Sequence, residues 1–183
     1  MEEVLKMTKY EAPRAPYVEA LHRGGKQKPT AIILRPSFTN SREGAALAVA
    51  QYWHKSASFW DAGHYTVDET KRFRCVRDNV VAGLTKTDKG AIRIAVCADP
   101  VSGTTFWDRA EHGAVLRKTA ELVAELILVH KIKLRYLSPK EQARWHKYPT
   151  RRRGGIIVME ESGWPADEFL AEVKTQIVLK THI

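Results

Sequence analysis

Apolar positions along the chain fall into short continuous runs and longer periodic stretches, and the two kinds of pattern predict different elements. Ala31-Ile32-Ile33-Leu34 is an apolar run between Pro29 and Pro36. It is too short to nucleate a helix and rich in β-branched residues, so it reads as a buried strand. Asn40 and Glu43 stand at capping-box spacing ahead of Ala46, Leu47, Val49, Ala50 and Trp53, which predicts a helix from about Ser41 to Lys55. His64-Tyr65-Thr66-Val67 and Phe73-Arg74-Cys75-Val76 flank a polar turn from Asp68 to Arg72, the pattern of a β-hairpin. Ala91 to Val96 alternates as a further strand. In the longest periodic stretch, Leu116, Ala120, Val123, Leu126, Ile127 and His130 recur near 3.6-residue spacing behind Asp108 as cap. A helix from about Arg109 to Lys131 should therefore cover one face of the sheet. Ser138-Pro139-Lys140-Glu141 combines an N-cap, a proline at the first helical position and a capping glutamate ahead of a short helix. Trp164-Pro165 opens a last helix carrying Phe169, Leu170, Val173 and Ile177.

This order predicts an α/β fold, a mixed central β-sheet flanked by helices, with no repeat at solenoid periods. Residues 30–178 form the domain. The segment 1–29, with Pro13, Pro16, Pro29, Gly24 and Gly25 and no sustained periodicity, reads as an irregular arm over its surface, and 179–183 as a tail. A length of 183 residues suits one domain able to bury a core without metal or disulfide staples. With 44% apolar and 28% charged residues, a collagen-like, low-complexity or wholly disordered chain is excluded. Leu122 to Val129 is broken by Glu125 and far short of the ~20 residues that span a bilayer, so no membrane helix is expected. Met1-Glu2-Glu3-Val4-Leu5-Lys6 lacks the basic and apolar regions of a secretory signal. Cys75 and Cys97 fall in strand-like segments and read as a buried reduced pair rather than a disulfide framework or half a zinc site.

Charge adds a second theme. The net charge is +9, and the window from Lys131 to Arg153 supplies eight of it: Lys131, Lys133, Arg135, Lys140, Arg144, Lys147, Arg151, Arg152 and Arg153 stand against Glu141 alone. Such a cluster is either a solvated face or a docking surface for an anionic partner, whether an acidic protein, wall polymers or nucleic acid. Trp145-His146-Lys147-Tyr148 interleaves aromatics with these cations. No motif for reading RNA or DNA accompanies the cluster, which places nucleic acid behind the other partners. Tyr52, Trp53, Phe59 and Trp60 could stack on sugars or bases, or close a core. A Gly-rich nucleotide loop, a His-Glu-x-x-His helix and a Gly-x-Ser-x-Gly elbow are all missing, and Ser56 and Ser58 lack an evident acid and oxyanion arrangement.

Several local patterns, in this order and spacing over roughly residues 30–173, carry a family resemblance. They are Thr30-Ala31-Ile32-Ile33-Leu34-Arg35, the helix Ala46 to Trp53, Ala62-Gly63-His64-Tyr65-Thr66-Val67-Asp68 followed by Cys75-Val76-Arg77-Asp78, Ile92-Arg93-Ile94-Ala95-Val96, and Gly163-Trp164-Pro165-Ala166-Asp167-Glu168-Phe169-Leu170. Together they resemble the type-2 N-acetylmuramoyl-L-alanine amidases, especially lysin domains of phages infecting actinobacteria, which share a fold with peptidoglycan-recognition proteins. The resemblance implies a zinc site built from a histidine ending the first core strand, a second histidine shortly before the closing helix, and a nearby cysteine or aspartate.

The chain departs from that pattern at the metal. Arg35 stands at the first ligand position, and an arginine has no acceptor lone pair with which to hold a cation. Arg153 to Ser162 contains neither histidine nor cysteine, leaving Glu160 and Glu161 as acids beside which Arg35 is expected to pair. His64 lies on a strand expected to line the old cleft, as a structural residue, a ligand-binding remnant or a catalytic group. Arg35, His64, Glu160 and Glu161 are thus expected to form a degenerate cleft with no metal, no cofactor and no catalytic residue. The role implied is a structural or binding component of an actinobacteriophage virion, in head or tail, made in the host cytoplasm. It would contact other phage structural proteins or further copies of itself, with peptidoglycan as a retained ligand and no membrane. Two other readings stay open: an active zinc-dependent endolysin cleaving the amide between N-acetylmuramic acid and L-alanine, and a basic nucleic-acid-binding module.

Overall fold

The computed structural model describes residues 15–21, 23–37, 39–55, 62–83, 89–98, 109–147, 154–159 and 164–182, the side chains of 109–112 excepted. Its centre is a five-stranded sheet of β2 (Ala31–Pro36), β3 (Tyr65–Val67), β4 (Arg72–Arg74), β6 (Ala91–Val96) and β7 (Ile156–Val158), in the order β4-β3-β6-β2-β7. β4 runs antiparallel to β3, and every other pairing is parallel. Helices α1 (Ala45–Lys55), α2 (Arg109–His130), α3 (Pro139–Lys147) and α4 (Ala166–Thr181) complete the mixed α/β domain.

Because successive strand residues point to opposite faces, each strand divides its side chains between two layers. Ile32, Leu34, Ile92, Ile94, Val96, Tyr65, Val67, Ile156 and Val158 face α2 and α4, which answer with Val115, Leu122, Val123, Leu126, Phe169 and Val173. Each fully buried Leu or Ile here contributes roughly 1.5–3 kcal/mol. Glu125, the residue that interrupts the apolar run of α2, is held by Arg72 at 2.9 and 2.8 Å and by Lys180 at 2.8 Å, tying β4 and α4 to the same helix. On the opposite face α1 covers the hairpin end through Ala46, Val49, Ala50 and Trp53. Trp145 of α3 fills the other end against Ala31, Ile33, Ala91, Leu137 and Ile157.

The structure corrects three details of the sequence reading. The expected capping box of Asn40 and Glu43 is not what starts α1. Asn40 accepts from Arg42 N–H instead, and the helix begins after Gly44 at φ +92° with Asp68 of the hairpin turn as its cap. Trp145 is a core residue and takes no part in a surface of interleaved aromatics and cations, its exposure being 1%. Within the segment read as an irregular arm, Arg23–Lys26 forms a strand, β1, paired antiparallel with β5 (Val80–Ala82). The arm also binds the body through Val18 N–H to Arg74 O, Ala20 N–H to Cys75 O and Leu21 N–H to Trp53 O.

Ser138 and Glu141 do form the predicted capping box at the start of α3. β7 depends on Gly154 and Gly155: a Cβ on Gly154 would sit 1.5 Å from Thr30 O, and one on Gly155 would sit 2.7 Å from Arg135 O. Only bare backbone lets this strand enter beside β2. Cys75 and Cys97 are both buried and free.

Candidate functional site

In an open parallel sheet, ligands bind beyond the carboxyl ends of the strands. Here β2 and β6 end side by side, with Arg35 in register with Ala95. Since Leu34, Ile94 and Val96 point into the α2/α4 layer, Arg35 and Ala95 project to the other face. A cavity of about 300 Å³ opens there, between the sheet and α1. Ala95 and Arg35 form its floor, Ala48, Val49, Tyr52 and Trp53 its helical wall, and Ser37 and Thr39 of the β2–α1 connection its rim. Ser37 is fixed by its N–H bond to Val96 O at 2.9 Å, and its Oγ lies 2.6 Å from Thr39 Oγ1. Trp53 is buried, with its ring close enough to Gly63 that a Cβ there would come within 2.9 Å, whereas Tyr52 is 54% exposed at the mouth.

Behind the rim lies Cys97. Burial pushes its thiol pKa up, with the Thr39 and Ser37 hydroxyls opposing that rise, and burial likewise pushes the Cys75 thiol up to about 12. Neither is a ready thiolate, and the nucleophile and soft metal ligand is the thiolate.

His64 belongs elsewhere. It is fully buried on the second face, and its Nδ1 accepts the Arg93 N–H at 3.0 Å. That bond assigns the proton to Nε2, which donates to Val80 O at 2.8 Å. Burial, acting against the pull of the Asp78 carboxylate, lowers the pKa of this imidazole to about 4. Both ring nitrogens are thus committed to backbone, and His64 does not line the cavity that Arg35 lines. Gln27 completes the seam, accepting Gly90 N–H at 2.8 Å and donating to Asp78 O and Ala91 O, so that β1 and β5 close over the imidazole.

A second polar cluster, on the α2 side, corresponds to no motif singled out from the sequence. Tyr65 donates to Asp78 Oδ1 at 2.7 Å, and His130 at the end of α2 donates to Asp78 Oδ2 at 2.7 Å. Burial and the Asp78 charge raise the Tyr65 pKa. This chain is closed on itself and pins the end of α2 to the turn before β5.

The zinc site implied by the resemblance does not fit these residues. Zinc takes imidazole, thiolate or carboxylate ligands, yet Arg35 brings a guanidinium to the strand end and His64 has no nitrogen to spare. Among the described residues, no three His, Cys, Asp or Glu side chains stand together as a metal cluster. Glu160 and Glu161 lie outside the described residues, as do Arg151, Arg152 and Arg153 of the basic window.

The rest of that window lies among the described residues. Lys131, Lys133, Lys140, Arg144 and Lys147 are exposed. Lys140, Arg144 and Lys147 follow one another at four- and three-residue steps, so they share one stripe of α3 opposite the buried Trp145. Arg135 is half-buried and donates to Glu141 at 2.7 Å. Bonds from Ser138 N–H, from Arg135 and from the Ser138 hydroxyl hold the Glu141 carboxyl down to about 2. Ser37, Thr39 and Gln27 were not singled out from the sequence, although the loop after a parallel strand is where rim residues of this kind are to be sought.

No family model matches the chain, and no curated protein matches it in sequence. Solved structures do match in shape. The catalytic domain of XlyA superposes with a TM-score of 0.58 at 18% identity over 87% of this chain and 99% of its own. A mutant endolysin from Bacillus subtilis gives 0.58 at 18% identity over 87% and 98%. The Staphylococcus aureus hydrolase AmiA, in complex with its ligand, gives 0.60 at 10% identity over 99% and 91%. The fold expected from the resemblance is thereby borne out, and at these identities the likeness is one of fold.

Proposed function

We propose that this amidase-type fold serves here as a catalytically degenerate module, a binding or structural component of a bacteriophage particle. The observation that carries the reading is Arg35 at the carboxyl end of β2, projecting into the cavity where the resemblance calls for a zinc-binding histidine. A fixed cation repels a dication and offers it no lone pair. The cleft therefore binds cell-wall glycopeptide without hydrolysing it, and the exposed cations of the Lys131–Arg153 window dock the domain onto an acidic partner in the particle, either another structural protein or a further copy of the chain. Association steered by such a surface is salt-sensitive.

The test is to incubate the purified chain with peptidoglycan, then assay both the insoluble fraction for retained protein and the supernatant for peptides with a newly freed L-alanine amine. Retention without peptide release is the expected result. Release of such peptides overturns the reading and returns the chain to the zinc-dependent endolysins.

A further inference from the structure

We propose that the amino ends of β2, β6 and β7 form a docking face for an acidic protein surface, in which Lys26, Lys28 and Lys89 join the cations of the Lys131–Arg153 window. The inference rests on the reading that this window docks onto an acidic partner. It enlarges the face, turns it away from the cavity and chooses among the partners.

The sequence scatters these cations and the sheet collects them. β2, β6 and β7 are parallel, with Ala31 in register with Ala91 and Ile32 with Ile156, so the chain enters all three strands from one end. Lys28 and Lys89 stand just before β2 and β6, tied together by Thr30 N–H to Gly90 O at 2.8 Å, and Lys26 ends β1 directly upstream. Lys133 lies two residues before Arg135, whose carbonyl accepts Ile156 N–H at 2.8 Å where β7 begins, and Lys131 follows the last residue of α2. α3 is fastened to the same end by Trp145 Nε1–H to Thr30 Oγ1 at 3.4 Å and by its ring against Ala31 and Ala91, which turns Lys140 and Arg144 outward. All of these cations are exposed, and none forms an ion pair with a described residue. Elsewhere Arg23, Lys71, Lys118 and Lys180 are each held by a glutamate. Two acids at the amino end, Glu141 and Asp78, are held by Arg135 and Ser138 and by Tyr65 and His130.

The charge calls for an anionic surface, and the arrangement chooses its kind. A second copy carries the same net charge of +9 and is repelled, and its exposed Glu19 and Glu43 are already paired with Arg23 and Lys71. The cations lie in two dimensions: Lys131 and Lys133 flank Ile132 of the α2 layer, Lys28 and Lys89 follow the row of strands, and Lys140 and Arg144 sit on the opposite layer with α3. A nucleic-acid duplex, with a persistence length of about 50 nm, meets a face along a line and reaches one such row. A single strand binds by stacking its bases on exposed rings, yet Trp145 is buried, and Tyr17 and Tyr52, the exposed aromatics with large apolar area among the described residues, belong to none of these segments. Carboxylates spread over a protein face can meet all three rows, each through a lysine acting as a mobile point charge. The face also lies at the far end of the strands from the cavity. From Ala31 to Arg35, β2 runs four residues at about 3.3 Å each, or roughly 13 Å, so a docked partner leaves the cleft open.

The experiment is a titration of the isotope-labelled full chain, read by NMR at the backbone amides of Lys28, Lys89, Lys133 and Lys140 and at the Trp53 indole. The probes are a short poly-L-glutamate and a random-sequence DNA duplex of equal total charge. Poly-glutamate should shift the four amides together in one saturable transition, leave the indole unmoved and bind at least tenfold more weakly as salt rises from 50 to 300 mM. The duplex should bind no more tightly. The triple variant Lys26→Ser, Lys28→Ser and Lys89→Ser should unfold in urea as the wild type does and lose at least fivefold in poly-glutamate affinity; if it does not fold, Lys89→Ser alone should lose about twofold. Wild-type affinity in these variants, shifts confined to α3, tighter binding of the duplex, or a dimer of the chain in sedimentation that the triple variant abolishes each overturns the assignment. The readings fail separately. Binding lost on replacing Lys140 and Arg144 but kept in the triple variant sinks this inference and spares docking through the window, no poly-glutamate binding at all sinks both, and peptide release from peptidoglycan sinks the degenerate-module reading alone.

Discussion

The Asp68 carboxylate accepts the N–H of Ala46 at 3.1 Å, so a hairpin turn caps a helix that lies 22 residues earlier in the chain. The same oxygen takes Gly44 N–H at 3.0 Å, while Oδ1 takes Thr70 N–H and hydroxyl and Lys71 N–H. Two residues before Asp68, Thr66 Oγ1 donates to Ala46 O at 2.8 Å. These bonds fix α1 against the sheet, and α1 is the wall of the Arg35 cavity.

Replacing Asp68 by alanine should therefore cost stability well beyond a surface change. A lost helix cap and the buried Ala46 N–H left without its acceptor combine to about 3 kcal/mol. Urea unfolding measures the loss, and a change below about 0.5 kcal/mol would mean that the helix is positioned by packing alone.

His64 predicts an acid-sensitive fold. Its folded pKa, lowered to about 4 by burial, lies below the ordinary histidine value, so protonation favours the unfolded chain. The sign is fixed: this contribution is complete above about pH 6.5 and is lost as the pH falls from there towards 4. The loss is on the order of 3 kcal/mol, because a proton on Nδ1 would face the Arg93 N–H donor. Asp68 acts in a lower window. Burial pushes its carboxyl pKa up, but the bonds from Lys71, Thr70 and Ala46 outweigh that and hold it below the ordinary value, so its contribution goes only as the pH drops past the usual carboxylate range. His64→Asn keeps an acceptor for Arg93 N–H and should flatten stability between pH 6.5 and 4. An unchanged slope would assign the acid sensitivity to another group.

Trp145 and its charged neighbours should separate cleanly. Trp145→Ala removes a buried ring from the Ala31, Ile33 and Ile157 cluster and should cost about 3–5 kcal/mol. Lys140→Ser with Arg144→Ser, on the exposed stripe of the same helix, should leave stability within about 0.5 kcal/mol. Thermal or urea unfolding of the two variants checks the contrast.

Much of the fold was legible because local pattern and tertiary contact agree. Ala91–Val96 forms its strand as read, α2 begins and ends within a residue of expectation, and α3 starts at the expected proline. Where a distant partner decides, the pattern misled. The Asn40 and Glu43 spacing is a sound capping box, yet Asp68 is better placed to take the free N–H groups. Arg23–Lys26 has no apolar alternation and is a strand through its pairing with Val80–Ala82. Ile156–Val158 is too short to announce itself, and it is fixed by the glycines before it. Of the site, Arg35 was legible because it departs from a pattern. His64 was drawn towards the cleft by sequence position, but strand alternation and the backbone of Arg93 and Val80 bury it beside the seam.

The basic window predicts a salt-dependent partner. Serine at Lys140, Arg144, Arg151, Arg152 and Arg153 should reduce incorporation into particles, and wild-type incorporation should weaken as added salt shortens the Debye length towards ~3 Å at 1 M. A variant that assembles normally but loses DNA or RNA retention would assign the cluster to nucleic acid, and one unchanged in both would leave it a solvated face.

The central claim is that Arg35 has converted a metal position into a non-catalytic one, and zinc stoichiometry tests it most directly. The chain is purified in the presence of zinc, dialysed against metal-free buffer and measured by elemental analysis. The account predicts zinc well below one equivalent per chain, unchanged in Arg35→Met. One tightly held zinc per chain in the wild type would contradict it.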